Sequence, residues 1–403
     1  MVKLTIDDLD LKNKRVLTRV DFNVPLTDDL AVSDDTRIRA ALPTIKKIID
    51  SEGKAILMSH LGRPKGKIID TMRMAPVVKR LSQLLGCEVR YVTDCIGEVV
   101  ESTVKELQNG EVLLLENVRF YTQETDNDPE FAKKLAKLGD VYINDAFGTA
   151  HRAHASTEGV TKYFDQRATG YLIQKELKYL GEAIENPKRP FVAILGGAKI
   201  SGKIDVIDNL LKKVDTLLIG GGMTYTFLKA QNIEIGKSLL EEDKIDLAVK
   251  IMDKGGTQHI DLNLPIDHVI ARDISESSET KITEFQAIPD GWAGVDIGPK
   301  TLNEFNRILK TAKTVIWNGP MGVFEVEKFA KGTIEIAKIL AEITKQGATT
   351  IVGGGDSVAA LAKAGVTDKV THVSTGGGAS LEFLGGLKLP GIEALSDKIK
   401  STN

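Results

Sequence analysis

Residues suited to binding anions follow nearly every candidate strand in the first half of this chain. The turns concerned contain arginine, histidine, aspartate and asparagine: Asp21–Asn23, Ser59–Pro64, Glu116–Arg119 and Asn144–His154. Arginine binds carboxylate and phosphate through two parallel hydrogen bonds, which favours it over lysine wherever such groups are recognised. The first half therefore predicts a concave site for a small anion that carries phosphate and carboxylate groups.

The second half places glycines and lysines in the corresponding positions. The turns are Gly196–Lys199, Gly220–Gly222, Asn318–Pro320, Gly353–Asp356 and Gly376–Gly378. A glycine-rich turn between a strand and a helix lets backbone N–H groups approach a phosphate closely, and the start of the helix adds partial positive charge. One such turn is weak support, but a series of them in one half of the chain predicts a nucleotide site.

Two familiar nucleotide motifs are absent. The segment from Gly197 to Lys203 satisfies GxxxxGK, but Ile204 occupies the position where a P-loop needs serine or threonine to bind magnesium. The glycine clusters also do not fit GxGxxG, because Tyr225, Val358 and Leu381 interrupt it. His151 and His154 are spaced like metal ligands but have no third ligand nearby in the sequence, so a phosphate-facing or structural role is favoured.

Composition excludes several broad classes of function. The 403 residues include 53 Lys and Arg against 56 Asp and Glu, a net charge of −3, without the basic excess of a nucleic-acid or membrane-surface binder. Hydrophobic residues make up 42%, as in ordinary globular proteins. Cys87 and Cys95 form no CxxC pair and fit a reducing compartment. We expect a soluble cytoplasmic protein with no nucleic-acid or membrane partner.

The elements that must position these turns alternate between short apolar strands and longer helices. The candidate strands are Val16–Val20, Ala55–Met58, Val112–Leu115, Val141–Ile143, Val192–Leu195, Thr216–Ile219, His268–Ala271, Thr314–Trp317, Thr350–Val352 and Val370–Val373. This alternation is typical of α/β proteins whose parallel sheets are covered by helices on both faces. In such sheets ligands bind outside the carboxyl ends of the strands, where the unusual turns lie.

The chain is long enough for two domains, and a boundary is predicted near its middle. Residues 171–184 form one helical pattern that ends before Asn186-Pro187. This helix either links two lobes or lies within one domain. Glycine and proline between Gly385 and Gly391 break the chain again before a short tail. We predict domains at 1–170 and 171–386, the second including the linker helix, and a tail at 387–403.

Ten segments together resemble the phosphoglycerate kinase family over essentially the whole chain. They are RVDFNVP at Arg19–Pro25, SHLGRP at Ser59–Pro64, LLENVRF at Leu114–Phe120, NDAFGTAHRAH at Asn144–His154, LGGAKISGKI at Leu195–Ile204, IGGGMTYTF at Ile219–Phe227, GWAGVDIGP at Gly291–Pro299, WNGPMGVFE at Trp317–Glu325, GGGDS at Gly353–Ser357 and STGGGASLE at Ser374–Glu382. The departures are small: Thr18 stands where the family usually has an aliphatic residue, and Ser357 where threonine also occurs.

The resemblance implies two doubly wound, Rossmann-like parallel-sheet domains that face a cleft and are joined by a linker helix, with a tail that returns to the first domain. It implies reversible phosphoryl transfer from 1,3-bisphosphoglycerate to ADP, giving 3-phosphoglycerate and ATP. The residues implied to bind the glycerate substrate are Asp21, Phe22, Asn23, Arg37, His60, Leu61, Gly62, Arg63, Arg119 and Arg152. A monomer that closes by hinge bending is the family expectation.

The resemblance places the nucleotide in the second domain. The residues it implies there are Lys203, Gly294, Asn318, Pro320, Glu325, Gly354, Gly355, Asp356 and Ser357, and Asp356 is the carboxylate associated with Mg²⁺. We assign compensation of transition-state charge to Arg37, Lys199, Lys203 and the backbone of Gly376, Gly377 and Gly378. Two alternatives stay open: another kinase that phosphorylates a carboxylate, and a non-catalytic nucleotide-binding protein.

Overall fold

The computed structural model describes residues 3–398 of the chain, and these form two compact α/β units. The first unit runs to Lys178 and includes the chain from Lys388 onward, and the second runs from Tyr179 to Leu387. The division therefore lies inside helix α6, Tyr171–Glu185. A helix is confirmed at the position where the sequence predicts a linker.

The first unit is built on a parallel six-stranded sheet in the order β3-β4-β2-β1-β5-β6. Its strands are β1 Arg15–Val20, β2 Lys54–Met58, β3 Val89–Tyr91, β4 Val112–Leu114, β5 Val141–Asp145 and β6 Arg167–Thr169. Its other helices are α1 Thr36–Asp50, α2 Ala75–Leu85, α3 Glu98–Glu106, α4 Thr122–Thr125, α5 Pro129–Ala136 and, in the tail, α14 Pro390–Glu393. Separate apolar clusters cover the two faces of this sheet, as expected for a doubly wound fold.

The second unit repeats the plan with a parallel sheet in the order β15-β14-β13-β7-β8-β9. Its strands are β7 Phe191–Leu195, β8 Thr216–Ile219, β9 Asp261–Asn263, β13 Thr314–Asn318, β14 Thr349–Gly353 and β15 His372–Val373. Its helices are α7 Ile204–Leu210, α8 Thr224–Ala230, α9 Ile245–Thr257, α10 Pro299–Leu309, α11 Lys331–Lys345, α12 Gly355–Lys363 and α13 Gly378–Leu384. The two parallel sheets confirm the predicted fold class.

One predicted strand belongs to a different kind of sheet. β10, His268–Ala271, pairs antiparallel with β11, Thr280–Ile282, and with β12, Ala293–Ile297. The expectation of parallel pairing therefore does not hold for this strand. The apolar pattern of a short strand reports its burial but carries no information about the direction of its partner.

The tail packs on the first unit through both backbone and side-chain contacts. The Gly391 N–H donates to the Ala150 carbonyl over 2.8 Å, and the Asn144 Nδ2 donates to the Gly391 carbonyl over 2.9 Å. Leu395 is buried in the apolar cluster on one face of the sheet. Between residues 3 and 398, no helix is both long enough and apolar enough to span a membrane.

Candidate active site

The first-unit turns that are predicted to bind an anion follow central strands of the sheet and are hydrogen-bonded to one another. The Phe22 N–H donates to the Ser59 Oγ over 2.8 Å, and the Gly62 N–H donates to the Asn23 Oδ1 over 2.8 Å. The Gly62 carbonyl accepts a hydrogen bond from the Arg119 Nη1 over 3.1 Å. The turns that follow β1, β2 and β4 thus form one rigid edge, because these strands are neighbours in the sheet.

Arg37 reaches this edge from the first turn of α1. Its guanidinium forms an ion pair with Asp21, whose side chain is largely buried. Asp21 also accepts a hydrogen bond from the Asn23 backbone over 3.3 Å. In the structure, the carboxylate of Asp21 therefore orients the Arg37 guanidinium, and the Arg37 side chain remains 37% exposed.

The first-unit cluster is rich in buried positive charge. Arg119 is 7% exposed and its Nε has no hydrogen-bond partner in the described chain. Burial, reinforced by Arg19 and Arg152, lowers the pKa of Arg119 to about 10. A guanidinium that is held against neighbouring positive charges with an open donor is poised for an anion, because a bound anion would relieve both penalties.

The histidines of this cluster are held neutral. Burial, and secondarily Arg19, Arg119 and Arg37, shifts the pKa of His60 well below its usual value. Burial and the same kind of positive surroundings lower the pKa of His154 to about 4. His151 accepts a hydrogen bond from the Arg152 Nε over 3.1 Å. Within residues 3–398, no group of three or more His, Cys, Asp or Glu is arranged to hold a metal ion.

Two of the predicted substrate residues lie at the margin of this network. Arg63 is exposed and forms no ion pair with any residue in the described part of the chain. Arg152 is also exposed and reaches the cluster through its contact with His151. Leu61 is buried, and its carbonyl accepts a hydrogen bond from the Asn117 Nδ2 over 2.7 Å. The structure thus joins Asp21, Asn23, Arg37, Gly62 and Arg119 more closely than it joins Arg63.

Three buried polar residues beneath the site were not predicted from the sequence. Arg19, Glu124 and Ser156 are fully buried, and Arg19 contacts both Ser156 and His60. Arg19 lies in the RVDFNVP segment, two residues before Asp21, so its position was a usable signal. Glu124 and Ser156 lie in ordinary polar stretches, and nothing in their local sequence indicates burial.

In the second unit, several glycines serve backbone packing. A Cβ on Gly221, which has φ of +71°, would lie 2.5 Å from the Gly197 nitrogen, and a Cβ on Gly196 would overlap the Pro320 carbonyl. The Gly197 N–H donates to that carbonyl over 2.9 Å, and the Gly319 N–H donates to the Ser357 Oγ over 2.7 Å. The turns after β7, β8 and β13 therefore lie too close to one another for side chains, and this packing alone requires glycine at these positions.

Other glycines have open space above them. A Cβ on Gly355 or Gly377 would meet nothing within 4 Å, although Gly377 has φ of +52°. Gly354, with φ of +91°, precedes the first turn of α12. The glycines around the start of α12 and α13 therefore leave backbone accessible to a ligand, which the interlocked glycines do not.

Lys203 lies buried beside Asn318 at the end of β13. Its Nζ donates to the Asn318 carbonyl over 3.3 Å and to the Asn318 Oδ1. Burial lowers the pKa of Lys203 to about 8, and the charge of Asp356 partly opposes this shift. The Asn318 Nδ2 is buried without a hydrogen-bond partner in the described residues. A buried amine and an unpartnered amide donor together suit the oxygens of a phosphate chain.

The loop between β7 and α7 carries the second lysine. Lys199 is exposed, and its charge acts on Asp243. The carboxylate of Glu241 anchors the next two residues, accepting from the Ile200 N–H over 2.6 Å and from the Ser201 N–H over 3.2 Å. The backbone that directly follows Lys199 is thereby anchored, while the Lys199 side chain is exposed.

The remaining residues predicted for the second-unit site have different surroundings. Ser357 is fully buried and holds Gly319, and the Pro320 carbonyl holds Gly197, so both act on the loop packing. Gly294 lies on β12, where its N–H donates to the Ser238 Oγ over 2.9 Å. Glu325 is exposed. The Gly376 N–H donates to the Ser374 Oγ over 3.2 Å, directly before α13.

Asp356 offers one exposed carboxylate in the first turn of α12. Magnesium usually keeps several waters and takes only one or two carboxylates together with phosphate oxygens. The position and exposure of Asp356, near Lys203 and the open glycines, fit a magnesium ion carried in with a nucleotide. Asp356 would supply only one protein ligand, and the nucleotide phosphates and water would supply the others.

Comparison with known proteins covers nearly the whole chain. The family model described as phosphoglycerate kinase matches residues 6–387. The phosphoglycerate kinase of Chloroherpeton thalassium is 60% identical over 397 residues, which is 98% of this chain and 100% of that protein. The cytosolic phosphoglycerate kinase of Triticum aestivum is 58% identical over 393 residues, 98% of each chain.

Solved structures agree with these relatives. The phosphoglycerate kinase of Coxiella burnetii is similar with a TM-score of 0.87 at 42% identity, covering 97% of this chain and 98% of that one. The enzyme from Pyrococcus horikoshii has a TM-score of 0.84 at 33% identity, with the same coverage.

The two α/β units, one with a buried arginine cluster and one with a buried lysine beside open glycines, define a two-unit kinase. Within that class, the chain belongs to the phosphoglycerate kinase family. The comparisons support this family and neither of the alternatives left open by the sequence.

Proposed function

We propose that the chain transfers the γ-phosphoryl group of ATP reversibly to the carboxylate of 3-phosphoglycerate, forming ADP and 1,3-bisphosphoglycerate. The observation that carries the proposal in the first unit is the buried Arg119, whose Nε has no partner among residues 3–398 and which stands among further arginines and histidines. A substrate that bears both phosphate and carboxylate groups supplies the negative charge that would balance these arginines.

The substrate residues divide by what they offer. Arg119, Arg152, Arg63 and His60 provide donors for the phosphate and carboxylate oxygens, while Asp21 orients Arg37 and Asn23 is fixed through Gly62. The main chain of Phe22, Leu61 and Gly62 completes the edge. This assignment is supported by the hydrogen bonds that lock these turns together.

The reaction needs no general base from the protein. The attacking oxygen belongs to a carboxylate that is already ionised at neutral pH, and the bond from the γ-phosphorus to the bridging oxygen breaks as the new O–P bond forms. Catalysis then rests on in-line positioning and compensation of charge on the transferred group. We assign that compensation to Arg37, Lys199, Lys203 and the N–H groups of Gly376, Gly377 and Gly378.

The nucleotide is proposed to bind at the second unit, with phosphates near Lys203, Asn318 and the start of α12. Gly294, Pro320, Glu325, Gly354, Gly355 and Ser357 complete the proposed contacts. Magnesium, held by Asp356 and nucleotide phosphates, would neutralise phosphate charge when bound. A monomer in the cytoplasm is also part of the proposal, and the named cytosolic relative is consistent with that location.

The test is a panel of acceptors assayed by ADP release from ATP and magnesium. We expect 3-phosphoglycerate to react at least about 10³-fold better in kcat/KM than glycerate, which lacks the phosphate that the arginine cluster would bind. Equal rates with glycerate or acetate would indicate another carboxylate kinase. ATP binding without turnover of any acceptor would indicate a non-catalytic protein.

A further inference from the structure

Four buried polar side chains form a continuous path beneath the first-unit site. They lie on separate segments: Arg19 on β1, His60 after β2, Glu124 on α4 and Ser156 in the loop after His154. Arg19, Glu124 and Ser156 are 0% exposed and His60 is 3% exposed. Burying four polar groups is costly unless each is satisfied, so their contacts constrain where the protons lie.

The Arg19 guanidinium donates hydrogen bonds towards both ends of this path. The Arg19 Nη2 lies 3.1 Å from the His60 Nδ1, and the Arg19 Nε donates to the Ser156 Oγ over 2.8 Å. The Ser156 Oγ donates to the Glu124 Oε1 over 2.6 Å, and the Ser156 N–H donates to the Glu124 Oε2 over 2.9 Å. Glu124 therefore ends the path as an acceptor with both oxygens used.

The contact with Arg19 determines which ring nitrogen of His60 carries the proton. A guanidinium has donors only, so the His60 Nδ1 must be the acceptor and carries no proton. An imidazole that lacks a proton on Nδ1 is neutral when its single proton sits on Nε2. No residue from 3 to 398 forms a hydrogen bond with the His60 Nε2, which leaves this donor for a ligand.

We propose that Glu124 and Ser156 are positioning residues that hold Arg19 against His60, and thereby fix His60 as a neutral imidazole with its proton on Nε2, a hydrogen-bond donor to a substrate oxyanion. The identity of that oxyanion as part of 3-phosphoglycerate rests on the proposed function. The tautomer itself does not, because it follows from contacts within the free protein.

The surroundings oppose a second proton on His60. The charged and titratable groups that act on it are Arg19 from β1, Arg119 from the turn after β4, Arg37 from α1 and His154 from the loop after β5. All three arginines repel an imidazolium. Glu124 lies at the far end of the path and supplies the counter-charge for the buried guanidinium of Arg19. His60 is thus expected to stay neutral through the physiological pH range.

The first test uses the unmodified full chain without substrate. Nitrogen-15 NMR of histidine-labelled protein distinguishes protonated from unprotonated ring nitrogens, and the signals of His60 are assigned by their loss in His60→Gln. We expect an unprotonated Nδ1 and a protonated Nε2, unchanged between pH 6 and 8. A proton on Nδ1, an even mixture of tautomers or a doubly protonated ring would overturn the proposal.

The second test separates positioning from general structural support. Ser156→Ala removes the hydroxyl that links Arg19 to Glu124, and Ser156→Thr retains it. We expect Ser156→Ala to mix the His60 tautomers and to raise KM for 3-phosphoglycerate about tenfold, with kcat and KM for ATP within about twofold. Ser156→Thr should restore the tautomer. A wild-type tautomer and wild-type KM in Ser156→Ala would contradict the positioning role of Ser156.

Glu124 is tested by matched amide substitutions. Glu124→Gln removes the counter-charge of the buried Arg19 and should change KM in the same direction as Ser156→Ala. Glu130→Gln, at an exposed position of α5, should change neither KM nor tautomer. A wild-type KM and a wild-type tautomer in Glu124→Gln would show that Glu124 does not position Arg19. If the chain shows no turnover, the proposed function fails, and calorimetric binding of 3-phosphoglycerate replaces KM while the NMR result still decides the tautomer.

Discussion

Burial gives the ordinary side chains of the second unit their unusual acid–base properties. Lys203 is 9% exposed, hydrogen-bonded to Asn318 and influenced by the charge of Asp356. Desolvation disfavours its ammonium form, while phosphate oxygens would favour it. A lysine in this state gains charge when an anion arrives, so its contribution to nucleotide binding depends on pH.

The pH dependence of ATP binding tests this role of Lys203. Because its pKa is about 8 in the free protein, the amine is mostly protonated below that pH and mostly neutral above it. We expect ATP affinity to weaken about tenfold as pH rises from 7.5 to 9.5. Lys203→Arg, which keeps its charge throughout, should bind ATP with a flatter profile. Identical profiles, measured by calorimetry, would contradict the role.

Arg37 is the first-unit residue to which we assign transition-state charge. Arg37→Ala is expected to lower kcat by about 10²–10³ with ATP affinity nearly unchanged, by analogy with other lost transition-state donors. The matched control is Arg39→Ala, which removes an exposed guanidinium paired with Asp35 two residues further along α1. Steady-state kinetics distinguish them, and an unchanged kcat in Arg37→Ala would exclude the assignment.

At this scale the sequence indicates candidate residues but does not indicate what each of them contacts. His60 and Arg119 were predicted as site residues because arginine and histidine after parallel strands are unusual, whereas Arg37 opens helix α1 and was implied by the family resemblance. Glu124 and Ser156 could not, because their importance comes from burial by segments distant in the sequence. Asp21 was assigned to substrate, yet its main contact in the structure is with Arg37.

At the scale of elements, the glycine-rich turns have two different causes. Gly196, Gly221 and Gly319 allow the turns after neighbouring strands to approach one another, whereas Gly355 and Gly377 face open space. Both kinds look alike in the sequence, since each follows a buried strand. Only the distances between the turns show whether a glycine allows two turns to pack closely or leaves space for a ligand.

Alanine substitutions should separate these two causes. Gly221→Ala places a Cβ against backbone at a positive φ and is expected to destabilise the second unit by about 3 kcal/mol or more. Gly355→Ala lies in the first turn of α12 with free space and should leave stability within about 0.5 kcal/mol while weakening ATP binding. Denaturant unfolding and calorimetry measure both effects. Equal destabilisation would contradict the distinction.

The parallel strands were largely predicted because they are apolar and β-branched. β9, Asp261–Asn263, was missed since it is short, polar and at the edge of its sheet. β10 was found, but its antiparallel partners were not, because pairing direction depends on the turn that follows and on long-range contacts. The presence of a strand can be predicted from the local sequence, whereas the strands it pairs with cannot.

Helix α11 begins against a buried carboxylate. The Asp296 Oδ2 accepts from the Gly332 N–H over 2.7 Å, and burial raises the pKa of Asp296 to about 7. The folded state therefore keeps a proton that the unfolded chain releases near pH 4. Stability from this group is complete below that pH and is lost as pH rises through 7.

Asp296→Asn removes this titration. We expect the difference in unfolding free energy, variant minus wild type, to increase by up to about 4 kcal/mol between pH 4 and 7. Both tryptophans, Trp292 and Trp317, lie in the second unit, so their fluorescence follows its unfolding. A difference that is constant with pH would show that Asp296 does not retain the proton.

At the scale of the whole molecule, the two units are separate cores that share one chain. The first unit is completed by residues from the far end of the sequence, with Leu389 and Leu395 buried there. The break at Gly385–Gly391 allowed a separate tail to be predicted. Its packing site could not be derived from composition or periodicity, because it depends on the surface presented by another part of the chain.

Leu395→Ala tests whether the tail stabilises the first unit alone. The buried side chain packs in the apolar cluster with Tyr142 and Phe131, so its loss should cost the first unit about 2–5 kcal/mol. Tryptophan fluorescence of the second unit should keep its wild-type midpoint. Hydrogen exchange can follow the amides of both units, and equal destabilisation of both would contradict a local role.

The central claim is that a phosphoryl group passes between ATP and the carboxylate of 3-phosphoglycerate. Phosphorus-31 NMR of the full chain with ATP, magnesium and 3-phosphoglycerate identifies the product directly. The account predicts ADP together with a new acyl-phosphate signal, and loss of that signal when ADP is added in excess. ADP accompanied only by inorganic phosphate, or by a phosphate ester on the hydroxyl group, would contradict it.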